Sequence, residues 1–141
     1  MPTFSPSKLR ALQQALCAHI KTLAPAAVPV LERQRGHIEN DVRAALSRVG
    51  LAAVVGAPVI CEVDTRIAGA ALARVVIEVT ISETPVTNFT GIDLYELLEV
   101  VLTGCRGRQI GRVSFSIAQA QKEELPQGMS FAVRLECRLV L

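Results

Sequence analysis

Leu9, Leu12, Leu16, Ile20 and Leu23 recur at spacings of three and four, which predicts an amphipathic helix with one apolar stripe. Ser5 is placed to cap it, Pro6 suits its first position, and Pro25 stops it. Val28-Pro29-Val30-Leu31 then reads as a short extended run whose proline suits an edge or a strand start. Polar, basic Glu32 to Gly36 reads as a turn. A second helix is predicted from Gly36 to Gly50. It carries Ile38, Val42, Ala45, Leu46 and Val49 on its apolar face, and Gly50 forms its C-terminal cap.

The middle of the chain changes period. Leu51 to Val55 is a continuous apolar run, broken by Gly56-Ala57-Pro58 before Val59 to Val63. It predicts two short strands or one interrupted strand. Ala68 to Ala73 is a small-residue turn. Arg74 to Glu83 alternates cleanly, with Val75, Ile77, Val79 and Ile81 on one face. A third helix follows, with Thr90 as its cap and Asp93 completing an approximate capping box. Ile92, Leu94, Leu97, Leu98, Val101 and Leu102 form its apolar face, and Gly104 ends it. Two strands close the chain, from Val113 to Ile117 and from Phe131 to Leu141. Gln119 to Ser130 reads as the polar connection of their hairpin.

This order predicts one α+β domain over residues 1–141, with a single mixed or mainly antiparallel sheet and helices packed mainly on one face. A chain of 141 residues buries roughly 68–70% of its unfolded surface and needs no disulfide or metal staple. Four Phe, one Tyr and no Trp leave the core to aliphatic side chains and weaken any aromatic platform for single-stranded nucleic acid. A net charge of +2 predicts no strong general attraction to nucleic acid or membrane. Cys17, Cys61, Cys105 and Cys137 are widely spread, which favours free thiols over a disulfide framework. With no signal-peptide pattern and no long apolar run, the expected location is the cytoplasm, with no membrane partner.

Candidate chemistry is sparse. Cys17 and His19 project about 200° apart on a helix and do not readily share an ion, although His37 or Cys61 could join either one. Glu123 and Glu124 fall in the expected hairpin connection, and Glu96 and Glu99 near a polar helix face, where nothing excludes water. Gly104 to Gly111 is glycine-rich but follows a helix and fits neither phosphate-loop pattern. Cys105, between Gly104 and Arg106, is the one thiol that neighbouring arginines could activate. No catalytic, metal or cofactor set is therefore expected. Arg106, Arg108 and Arg112 fall within seven residues with no acid among them, and Arg33 and Arg35 form a second basic cluster. Such groups suit phosphate or an acidic partner surface. The apolar Leu139-Val140-Leu141 end predicts a strand that is either central in the sheet or covered by another subunit.

The strand Val75 to Ile81, the helix Ile92 to Leu102 and the strand pair from Val113 to Leu141 carry a family resemblance. In order and length the chain resembles tail terminator or tail-completion proteins of long-tailed bacteriophages. The resemblance implies a non-enzymatic subunit that assembles into a ring, commonly a hexamer, which caps the tail tube and joins it to the neck. It implies other tail or neck proteins as partners, passive contact with DNA and a place in the virion tail. The segment 36–63 resembles an insertion relative to simple terminators, and related neck or tail accessory proteins fit as well. Two other readings compete: a small ligand-binding or regulatory domain with a pocket between sheet and helices, and an enzyme using Cys105.

Overall fold

The computed structural model describes residues 7–33, 38–66, 69–125 and 128–141. Three helices and a six-stranded sheet account for most of them. α1 spans Lys8–Leu23, β1 Val30–Glu32, α2 Glu39–Arg48, β2 Leu51–Val55, β3 Val59–Asp64 and β4 Leu72–Glu83. α3 spans Leu94–Cys105, followed by β5 Gln109–Ile110, β6 Val113–Ser114, β7 Ser116–Leu125 and β8 Gly128–Val140.

The sheet runs β1-β2-β4-β8-β7, with β3 also on β4, and only the β1–β2 pair is parallel. It is a mixed, mainly antiparallel sheet, as the element order predicts. β2 and β3 resolve the Leu51–Val63 run into two strands that lie in tandem along one edge of β4. Val55 pairs with Val79 and Val59 with Val76, so Gly56-Ala57-Pro58 interrupts what is otherwise one line.

Register sorts the side chains into two faces, since paired residues point the same way. Val75, Ile77, Val79 and Ile81 of β4 share the inner face with Leu51, Ala53 and Val55 of β2 and with Val133, Leu135 and Cys137 of β8. α1 contributes Leu12, Leu16 and Ile20 to the same core, and α3 contributes Leu94, Leu97 and Val101. At ~1.5–3 kcal/mol for each fully buried aliphatic side chain, this layer is the main source of stability.

α2 is the exception to the one-faced packing. Parallel β1 and β2 need a crossover connection, and α1 already covers the inner face. α2 therefore crosses the outer face, beside Val54, Thr80 and Ser82.

Several element ends differ from the sequence expectation. Ser7 is the α1 cap, its Oγ accepting from the Arg10 N–H at 3.2 Å, while Ser5 and Pro6 lie outside the described residues. Asp93, not Thr90, caps α3 and shares a full capping box with Glu96. Thr90 instead bonds Asn88 within the preceding loop. Gly104 lies inside α3, which runs on to Cys105. A Cβ there would strike the Leu23 side chain, so this glycine lets α1 and α3 approach. The expected polar connection from Gln119 to Ser130 is mostly strand. β7 continues to Leu125 and pairs with β8 throughout. Its side chains from Ala118 to Glu124 are exposed, so no apolar alternation marks that stretch.

Candidate functional site

Arg106, Arg108 and Arg112 are mounted on a small rigid projection after α3. The Gly107 N–H donates to the Phe115 carbonyl at 3.0 Å, which folds the chain back. Ile110 and Val113 pair across a two-residue turn and are buried in the core. Gly111 and Arg112 form that turn at φ 57° and 70°, both in the left-handed region, as a type I′ hairpin requires. A Cβ on Gly111 would meet the Ala15 Cβ at 3.2 Å, so the hairpin sits close against α1.

Arg112 is the one described residue other than glycine with positive φ. An L-residue in that conformation costs ~1–2 kcal/mol. All three arginines are exposed, and no described ion pair engages them.

The second basic cluster is not joined to the first. Arg33 follows β1, with its N–H on the Val55 carbonyl at 2.8 Å. Its carbonyl accepts from the buried Gln13 side chain at 2.7 Å. Its guanidinium is 3.1 Å from Glu39, and no described contact links it to the 106–112 loop. Arg35 lies outside the described residues.

The terminal strand is central for most of its length, flanked by β4 and β7. Leu139 points inward and packs against the core, while Val140 and Leu141 remain exposed. β7 pairing begins at Glu136, so only β4 pairs with β8 beyond that point.

The sheet leaves open edges at both sides. On one side β3 carries exposed Val59, Ile60 and Val63, and its only described partner is β4. On the other, the outer edge of polar β7 has no described strand partner. Runs of apolar side chain on an open edge are a template for strand addition.

Cys61 is exposed on β3, whereas the other three thiols are buried and poorly placed to act as nucleophiles. Cys105 is completely buried, which overturns the reading of an exposed cysteine activated by arginine. Burial pushes its pKa up to about 11. At neutral pH the thiolate fraction is on the order of 10⁻⁴. Cys137 is likewise pushed up to about 11, chiefly by burial, and burial raises Cys17 too. His19 Nε2 donates to the Gly104 carbonyl at 2.7 Å, tying α1 to α3. His37 lies outside the described residues, and among those described no three His, Cys, Asp or Glu side chains are grouped to hold a metal ion. Glu123 and Glu124 stand exposed on β7. No described helix is long and apolar enough to cross a membrane.

An open groove of about 1300 Å³ runs between α2 and the outer face of β4. Val42, Leu46, Val54 and Val59 give it apolar walls, and Glu78, Thr80 and Ser82 line it as well. It exceeds the usual ~300–1,000 Å³ of a small-molecule pocket.

The sequence matches no protein-family model and no curated protein. Among solved structures, a chain of the virion of a native gene transfer agent particle shares the fold with a TM-score of 0.66. The two are 14% identical, and the match covers 97% of this chain and 100% of that one.

Proposed function

We propose that this chain is a non-enzymatic structural subunit of a phage-like tail. In this reading it resembles a tail terminator or completion protein and closes into a homo-oligomeric ring, expected to be a hexamer, at the junction of tube and neck. The observation that carries the reading is the fold shared with a virion component over nearly the full length of both chains. The two open edges supply a mechanism. β3 of one copy adds to β7 of the next, a head-to-tail contact that repeats by rotation until it closes.

Light scattering on a sizing column, over a range of concentrations, tests this directly. The expected mass is six times the 15.1 kDa protomer and independent of dilution. A monomer at every concentration would overturn self-assembly.

The Arg106–Arg112 projection is the surface assigned to passing DNA, through phosphate contacts without base reading. Replacing Arg106 and Arg108 by Ser and Arg112 by Gly is expected to weaken binding of short duplex DNA at least ~10-fold at low salt. The slope of log affinity against log salt should fall by roughly 2.7, about 0.9 for each phosphate that an arginine no longer neutralises. Arg112→Gly also relieves the left-handed backbone, so the melting temperature should hold or rise slightly. Unchanged DNA binding would leave these arginines to an acidic protein surface or to solvent.

A further inference from the structure

The loop from Thr84 to Ile92, between β4 and α3, contains no charged residue. Val86 and Phe89 at its surface are 89% and 90% exposed. Phe115, by contrast, is buried in the core, and Phe131 packs edge-on against Tyr95. A phenylalanine that open normally signals a floppy segment, yet this loop is firmly tied. Asn88 Nδ2 donates to Glu83 Oε2 at 2.6 Å and to the Ile92 carbonyl at 2.8 Å. Its Oδ1 accepts from the Thr90 N–H and hydroxyl, at 3.0 and 2.6 Å. The Asn88 N–H meets the Thr84 carbonyl at 3.1 Å, and the backbone of Thr87 and Asn88 rests on Gly50. This network pins the backbone that carries the two exposed side chains. Ordering them against a partner costs little further entropy, the condition that makes an aromatic side chain a binding hot spot.

We propose that Phe89 and Val86 form a preformed apolar plug that seats in the α2–sheet groove of a second copy. The groove offers the matching chemistry in Val42, Leu46, Val54 and Val59. Thr84 and Thr87 rim that groove on the same chain, so plug and groove lie side by side and each copy presents both. The absence of any cation in the loop argues for an apolar protein surface over an anionic lipid one. This inference rests on the self-assembly reading and adds to the β3–β7 pairing a second contact, beside the β3 edge to which Val59 belongs.

The test uses Phe89→Asp and Leu46→Lys, with Val42→Lys as a substitute if Leu46→Lys does not fold. Lysine's stem can lie along the groove wall while its head reaches water. Each variant should keep the wild-type circular dichroism but weaken assembly roughly 30-fold or more in sedimentation velocity. Mixing the two should restore a pair, because the intact plug of one variant meets the intact groove of the other. Assembly of Phe89→Asp at wild-type strength would overturn the plug while leaving the ring reading standing. A monomeric Phe89→Asp beside a fully assembling groove variant would overturn the α2–sheet groove as the plug's seat. A monomeric wild type would remove the ring reading and this contact with it.

Discussion

Gly50→Ala is expected to lower the melting temperature by roughly 10 °C, the loss of about 3 kcal/mol for a chain of this size. Two independent costs meet at this residue. Its φ of +87° lies in the left-handed region, where a Cβ costs ~1–2 kcal/mol. The added Cβ would also fall within 2.6 Å of the Asn88 Cα and the Thr87 carbonyl carbon. Those are backbone atoms of a loop pinned by Asn88, so they cannot turn aside as a flexible side chain would. Gly50 further joins two elements, since its N–H reaches the Ala45 carbonyl of α2 at 3.3 Å and its carbonyl accepts from Thr84 N–H at 2.8 Å. Gly91→Ala supplies the control. Gly91 has φ +90° but nothing within 4 Å of its added Cβ, so it bears the conformational cost alone. Calorimetry on both variants should show Gly50→Ala losing at least twice as much stability. Equal losses would mean that the loop yields and the close approach carries no weight.

That glycine also shows where sequence reading reaches and where it stops. The pattern after Val49 identifies Gly50 as a helix cap, because left-handed φ after a helix is a local property. The pressure from Asn88 is a contact across 38 positions of sequence and leaves no local trace. The same division holds elsewhere. Val75, Ile77, Val79 and Ile81 are legible as one inward face because burial on one side of a strand imposes a period of two. β7 is not legible beyond Ile117, because from Ala118 to Glu124 neither face is covered and the pattern of burial does not alternate. α2 is legible as an element but not on a face, since only the parallel β1–β2 pairing sends its crossover to the outer side.

The basic projection is half legible. Three arginines without an acid stand out in the sequence, yet the type I′ turn that fixes Arg112 shows only as an isolated glycine. Phe89 carries no sequence signal, because a lone phenylalanine in a polar stretch reads like any loop residue until its exposure and the Asn88 network are seen together. Cys105 misleads for a related reason. Its glycine and arginine neighbours suggest an accessible thiol, but it occupies the last turn of α3, on the face turned to the core.

The burial of Cys105 and Cys137 carries a consequence for stability at high pH. Both thiols are pushed up to about 11 in the folded chain from an ordinary value of 9.0. Below about pH 9 folded and unfolded states are both protonated there, and the thiols add no pH dependence. Between about 9 and 11 the unfolded chain releases these protons while the folded chain keeps them. The unfolded state then binds fewer protons, so stability falls as pH rises. Each thiol withdraws up to ~1.4 kcal/mol per pH unit across that window, or roughly 2–3 kcal/mol by pH 11. Solvent screening reduces these figures, yet the pair still makes a visible inroad on the ~5–15 kcal/mol that holds a typical domain folded. Urea titrations under reducing conditions at pH 7, 9 and 10.5 should show the midpoint steady over the first interval and dropping over the second. Other groups also lose protons at high pH, so the decisive comparison is with Cys105→Ala/Cys137→Ala, which keeps all of them. That variant starts lower, because two small cavities open in the core. Its midpoint should nevertheless fall less steeply above pH 9 than the wild type's. Parallel slopes would mean that the two thiols meet water in the folded chain, against their position on the inner faces of α3 and β8.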